Sequence, residues 1–236
     1  MHTHAPLEAA ALAQLFAEAR TASGFLDRPV SLEMLRRIYA LASWGPTAMN
    51  SQPARYVMLT TPEARERLLP HLKEGNRSKV MEAPVCVIVA TDTRFYDHLP
   101  EVWHDASARE LFAGQPALAQ ATASRNGTLG GAWFLLAARA LGLDCGPMSG
   151  FDAEGVNRTF FPDGRWQANF LLNCGIGDWL ARTERDSTVA RLAQARAVNK
   201  LISPAEMGEL FKVMALGKGV DEALLGFVVG DRSETL

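Results

Sequence analysis

Histidine and cysteine are scarce in this chain, and their scarcity removes most metal chemistry from consideration. Of the 236 residues, five are histidine (His2, His4, His71, His98, His104) and three are cysteine (Cys86, Cys145, Cys174). The histidines form no pair at ligand spacing and there is no C-x-x-C, so a structural or catalytic zinc has no donor set. The cysteines are odd in number and far apart, and Cys86 and Cys174 lie inside apolar runs. Buried free thiols in a reducing compartment are expected rather than disulfides. Neither sign of charge is in excess: 24 Lys and Arg stand against 26 Asp and Glu, with a pI near 6.2. That balance offers no surface for nucleic acid or an anionic membrane. No apolar run approaches the ~18 residues of a membrane span. Met1-His2-Thr3-His4-Ala5-Pro6 lacks the basic and apolar regions of a signal peptide. Also missing are a phosphate-binding G-x-x-x-x-G-K-[ST], a G-x-G-x-x-G after a strand and a G-x-S-x-G elbow. The expectation is a soluble cytoplasmic protein outside the common nucleotide-binding and hydrolase classes.

What the chain does contain is ordinary globular material, 48% hydrophobic and 21% charged, long enough for one large domain or a domain with an appendage. Its most distinctive stretch is Trp44-Gly45-Pro46-Thr47-Ala48-Met49-Asn50-Ser51-Gln52-Pro53. An amphipathic segment precedes it and a β-branched apolar run follows, so it joins a helix to a strand. Its two prolines fix φ and exclude regular structure. Between them lie a hydroxyl, small residues and two carboxamides. Such a loop suits a flat heterocycle that needs several hydrogen bonds; taken alone, it reads first as a polar helix-to-strand turn.

Around that loop the pattern alternates helix and strand. Leu7 to Ala19 places Leu12, Leu15, Phe16 and Ala19 on one side of a short helix. Ser31 is the expected N-cap of a second helix with Leu32, Leu35, Ile38, Tyr39 and Ala42 inward. Arg55 to Thr60 reads as strand, and Thr61-Pro62 opens a helix with proline at its favoured first position. Residues 75–79 read as a polar turn or helix start. Pro84 to Ala90 is almost wholly apolar and belongs at the centre of a sheet. Thr91 to Gly114 is weakly patterned and rich in aromatics, a candidate lid or partner surface in which Trp103 and His104 are candidates for substrate contact. Gln115 to Leu141 is the longest helix, stopped by Gly142, with Gly127, Gly130 and Gly131 inside it where something must approach closely. Cys145 to Asp152 reads as a second stiff loop, and Trp166 to Ile176 as a last core strand. The sum is an α+β layer fold.

Five pieces recur together in one order: Arg20-Thr21-Ala22-Ser23-Gly24-Phe25, the loop 45–53, Asn76 with Lys79, the helix 114–143, and Gly146-Pro147-Met148-Ser149-Gly150-Phe151-Asp152. From about Leu7 to Asp178 this arrangement resembles the nitroreductase family of flavin enzymes, most closely its malonic semialdehyde reductase (RutE-like) branch. The resemblance implies an α+β sandwich, a central mostly antiparallel sheet flanked by helices, in a homodimer with two FMN molecules at the subunit interface. Electrons would pass from NADPH or NADH through FMN by a ping-pong route. By the same resemblance Arg20 holds the FMN phosphate, with Thr21 and Ser23 adding hydroxyl donors. Pro46, Thr47, Ala48 and Asn50 belong to the loop one subunit offers to the other's flavin. Asn76 and Lys79 lie at the pyrimidine edge, where a cation stabilises the charge of reduced flavin. Pro147, Met148, Ser149 and Gly150 match the loop whose backbone N–H groups face N5. The flavin carries the reaction and no side chain is named as general acid.

The implied function is reduction of malonic semialdehyde to 3-hydroxypropionate, a step of pyrimidine degradation, or of a similar small carbonyl compound. Reduction of a nitroaromatic or quinone, or flavin binding with little turnover, are the alternatives. A domain over residues 1–179 is expected, with a helical appendage over 180–236. In the latter, Arg185 is the better-spaced candidate, ahead of Arg182, for a second phosphate contact. Ser203-Pro204-Ala205-Glu206-Met207-Gly208-Glu209-Leu210-Phe211-Lys212-Val213-Met214-Ala215 is similar to the end of MidA-like methyltransferases, but their glycine-rich S-adenosylmethionine loop is nowhere in the chain.

Overall fold

The structure, a computed structural model, describes residues 5–179. Its organising element is strand β2 (Val85–Asp92), the apolar run expected at the centre of a sheet, and every residue of it is buried. A strand presents alternate residues to opposite faces. Val85, Val87 and Val89 therefore enter one core, and Cys86, Ile88 and Ala90 another. β2 lies between β1 (Ala54–Leu59) and β4 (Trp166–Gly175), and β3 (Asp144–Met148) closes the far edge. The order is β1-β2-β4-β3, with all three pairings antiparallel.

Helices cover both faces. On the first, α2 (Leu32–Ala42) packs on α7 (Pro116–Ala140), and Leu35, Ile38, Phe134 and Ala138 meet the valines of β2. On the second lie α3 (Pro62–Glu66), α4 (Glu74–Glu82) and α8 (Ala153–Phe160), closing over Leu68, Val80, Val156 and Leu171. The expected caps are present. The Ser31 and Thr61 hydroxyls accept from the backbone N–H groups of Met34 at 3.1 Å and Ala64 at 3.2 Å. Gly142 ends α7 at φ +84°, a value glycine adopts freely. The α7 glycines also serve close approach: a Cβ at Gly131 would stand 2.5 Å from Cζ of Phe170, and one at Gly127 would strike the Thr91 side chain. All three cysteines are buried free thiols.

Several local expectations are corrected. The first helix is only Ala9–Leu12, continued by a π turn over Ala13–Ala17 whose widened ring is closed by Glu18 N–H on Ala13 O at 2.8 Å. Leu12 and Phe16, expected inward, are exposed. In α2, Leu32 and Tyr39 are also exposed, because the contact with α7 uses only the stripe Leu35–Ile38–Ala42. Of the two readings of residues 75–79, the helix start holds: they lie in the first turns of α4.

The stretch 91–114 is helical in pieces: a 3-10 turn at Phe95–His98, α5 (Leu99–Val102) and α6 (Ser107–Ala113). Its aromatics are largely spent on a small core of its own, Phe95 against Phe112 at 5.0 Å between ring centres, rather than offered to a partner. Finally, Cys145 to Met148 is strand, not loop. Main-chain pairing with β4 overrides the proline because β3 is an edge, where a missing N–H is tolerated. Only Ser149 to Asp152 remains irregular in that stretch.

Candidate functional site

Along the outer side of β3 runs the segment 20–26. Thr21 bridges Cys145 in parallel, Ala22 N–H donates to Cys145 O at 3.0 Å, and Leu26 N–H donates to Ile176 O at 2.8 Å. The two strands press together: a Cβ on Gly146 would run into the Ala22 carbonyl. Beyond the strand, residues 150–152 pair with the turn before α4. Lys73 N–H donates to Gly150 O at 3.1 Å, Asp152 N–H to His71 O at 2.7 Å, and His71 Nε2 lies 2.8 Å from Thr159 Oγ1.

From α4, Asn76 Nδ2 also reaches Gly150 O, at 3.0 Å, and Lys79 Nζ donates to Asn76 Oδ1 at 3.3 Å. A side chain on Gly150 would meet Asn76 Nδ2 at 2.7 Å and Cδ of Lys73 at 3.5 Å. The fold therefore gathers Arg20, Thr21, Ser23, Asn76, Lys79, Pro147, Met148, Ser149 and Gly150 at one sheet edge. Their places differ. Pro147 and Ser149 are exposed, whereas Met148 packs partly into the second core. Arg20 is exposed and donates to the carbonyls of Ala17 at 2.9 Å and Ala19 at 2.8 Å, at the end of its own helix. Among the described residues no carboxylate pairs with Lys79.

The loop 46–53 stands elsewhere. It enters β1, at the opposite edge, three strand spacings or about 14 Å from β3. Met49, Asn50 and Gln52 have φ of +53°, +50° and +41°. Left-handed residues other than glycine are costly and concentrate where function holds a backbone in place. Five hydrogen bonds over-determine it. Ala48 N–H donates to Asn126 Oδ1 at 2.9 Å, Gln52 N–H to Thr47 Oγ1 at 3.1 Å, and Gln52 Nε2 to Asn50 Oδ1 at 2.7 Å. Asn50 Nδ2 donates to Val102 O at 3.1 Å, and Arg55 Nη1 to Gln52 O at 2.7 Å. The Thr47 hydroxyl and the Asn50 carboxamide are thus used inside the protein, and what Pro46, Thr47, Ala48 and Asn50 can jointly offer a ligand is shaped backbone.

Arg55 continues to Asp92, whose carboxylate is 1% exposed and is shared with Arg165 at 3.2 Å. Trp103 and His104 follow Val102, their rings tilted by 45° with centres 4.3 Å apart. Arg185 lies outside the described residues.

Three residues that hold this geometry went unread in the sequence. Asn126, buried in α7, carries the loop through Ala48. Asp92 anchors Arg55. Asn173, buried in β4, donates through Nδ2 to Lys79 O at 2.8 Å while its Oδ1 has no partner among the described residues. A carboxamide inside Phe170-Leu171-Leu172-Asn173-Cys174 was the available signal, since asparagine is seldom buried without a task. The edge site fits FMN on its own terms. It holds cations at Arg20 and Lys79, and its glycines at 146 and 150, where a Cβ would meet Ala22 O and Asn76 Nδ2, let the 20–23 segment and α4 close up on the edge strand and loop.

Comparison with known proteins agrees with this geometry. The model of the nitroreductase family matches residues 16–176. A protein of Ralstonia nicotianae named as an NADH dehydrogenase/NAD(P)H nitroreductase is 51% identical over 172 residues, covering 73% of this chain and 88% of its own. One of the same name from Rhodopseudomonas palustris is 50% identical, over 71% of this chain and 85% of its own. The crystal structure of a Bacillus subtilis protein described as a nitroreductase superposes with a TM-score of 0.64 at 25% identity, over 76% of this chain and 92% of that one. An Exiguobacterium sibiricum protein, solved in complex with FMN, shares the fold with a TM-score of 0.61 at 19% identity, over 75% of this chain and 91% of its own. Matched along most of its described length in sequence and in fold, this chain belongs to the nitroreductase family.

Proposed function

We propose that the chain, an NAD(P)H-dependent flavin oxidoreductase that holds FMN, reduces malonic semialdehyde to 3-hydroxypropionate or acts on a similar small carbonyl compound. The observation that carries the reading is the convergence of Asn76, Lys79 and Gly150 beside the 20–23 segment at one sheet edge. FMN, when bound, would supply the hydride chemistry that links NADPH or NADH to the acceptor. Everything else falls to the chain. Arg20, with Thr21 and Ser23, binds the phosphate. Asn76 and Lys79 hold the pyrimidine edge, where the Lys79 charge opposes the charge that reduction adds. Backbone N–H groups of residues 148–150 face the reacting side of the ring, and Pro147, which has none, stiffens the strand that delivers them.

A second copy completes the site. The loop 46–50 lies across the sheet from the edge it is meant to serve, so a two-fold partner is the means of bringing the halves together. Apolar side chains unburied in one chain, among them Phe16, Leu32, Leu41, Trp44 and Trp133, supply an interface. Among the described residues no helix is long and apolar enough to cross a membrane. The role assigned here, drawing on NADPH or NADH, goes with a cytoplasmic location.

Reduction of a nitroaromatic or quinone is the second reading, favoured by the names of the relatives. An anaerobic absorbance trace tests both. NADPH or NADH should bleach the flavin band, and colour should return on adding malonic semialdehyde. Return only with a nitroaromatic or quinone selects the second reading; a bound flavin that neither nucleotide bleaches would leave a binding protein with little turnover.

A further inference from the structure

We infer that Asn173 is a positioning residue for the Lys79 cation, and that through it the sheet sets how strongly the site prefers reduced over oxidised FMN. The inference rests on the flavin reading above. Asn173 is 1% exposed, in register with Cys86 of β2 and Gly146 of β3, on the face that packs against α4. Its strand neighbours are apolar, so leucine would suit the packing, and a carboxamide there needs a reason. Its Nδ2–H supplies one. The Lys79 carbonyl accepts from it at 2.8 Å and from the helical Ala83 N–H at a longer 3.3 Å. Asn173 thus pins the last turn of α4 to the sheet, beside Val80, the only buried residue of that helix. The amide's own oxygen finds no donor among the described residues, so the side chain is retained for its N–H rather than for a satisfied polar network.

The pinned residue carries the charge. Lys79 Nζ reaches Asn76 Oδ1 one turn back, and Asn76 Nδ2 reaches Gly150 O, so Asn173, Lys79, Asn76 and Gly150 form one chain of contacts from the sheet to the edge loop. A cation acts on a ligand through its distance. Freeing its backbone weakens its hold on reduced FMN more than on oxidised FMN, because only reduction adds the charge it opposes.

The test uses the full chain loaded with FMN and two readouts other than turnover: the dissociation constant of oxidised FMN from flavin fluorescence, and the midpoint potential by equilibration with a reference dye. Asn173→Leu should change oxidised-FMN affinity little but lower the ratio of reduced to oxidised affinity about tenfold, a fall of about 30 mV for two electrons. In a Lys79→Met background the same substitution should shift the potential no further, the non-additivity expected of residues acting through one contact. Should Asn173→Leu fail to fold, Asn173→Ser, too short to reach the Lys79 carbonyl, is read the same way. A wild-type-like potential in the variant that folds, or an equal shift with and without Lys79, overturns the inference and leaves the flavin reading intact. Failure of the wild type to bind FMN overturns both.

Discussion

Replacing Asp92 by asparagine removes the one charge around which three parts of the molecule are tied. The carboxylate accepts from Arg55 Nη2 at 2.9 Å, from Arg165 Nε at 3.2 Å and from the backbone N–H of Arg94 at 2.9 Å. Arg55 in turn donates to Gln52 O in the left-handed loop, while Arg165 precedes β4. The substituted carboxamide would keep the shape and an acceptor for Arg94 but leave Arg55 without a counter-charge and Arg165 with only the more distant Asp97, at 3.9 Å. Breaking a buried pair by removing one partner costs about 3–5 kcal/mol. The arginine side chains keep 25% and 32% of their exposure and can re-solvate in part, which places this case near the lower end, at about 3 kcal/mol. At about 2–4 °C per kcal/mol for a chain of this size, the unfolding midpoint should fall by about 6–12 °C. The assay is thermal unfolding followed by circular dichroism, with Asp97→Asn as control. The Asp97 side chain is 20% exposed and its main partner, Arg94, is 60% exposed, so the control should cost under about 1 kcal/mol. If Asp92→Asn melts within about 2 °C of the wild type, or no lower than Asp97→Asn, the hub is not what holds the loop.

Two glycine-to-alanine changes in helices should move stability in opposite directions. Gly75→Ala, with nothing within 4 Å of the new Cβ, should stabilise by about 0.5–1 kcal/mol. Gly131→Ala should destabilise by about 1–3 kcal/mol because its Cβ lands on Phe170 and stands 3.0 Å from Val89, and urea midpoints of the two variants decide the matter. Alkaline pH should weaken the fold through its thiols. Burial pushes Cys86 up to about 12, and a hydrogen bond with Cys145, then burial, holds Cys174 well above the usual 9. Below about pH 9 folded and unfolded chains both keep these protons. Above it the unfolded chain loses them first, so stability falls by about 1.4 kcal/mol per pH unit for each thiol. Cys86→Ala should therefore show a shallower decline than wild type in urea unfolding between pH 8 and 11; parallel declines would refute the assignment.

Local chemistry was enough to read much of this protein. The unbroken apolar run at 85–90 could only be a central strand, because alternation is lost when both faces are covered. Ser31, Thr61-Pro62 and Gly142 marked helix ends through groups that act within three or four residues of themselves. The grouping of Arg20, Asn76, Lys79 and Gly150 was legible through family resemblance, since no local rule places residues 130 positions apart at one edge. Tertiary structure decided what depends on partners distant in sequence. Cys145 to Met148 became strand because β4 was there to pair with it. Tyr39 stayed outside because α7 meets only one stripe of α2. Phe95 and Phe112 turned inward because they found each other. Asn173, Asn126 and Asp92 escaped notice for the same reason: a buried polar side chain declares its purpose only when the group it bonds, 94, 78 or 37 residues away, has been brought beside it.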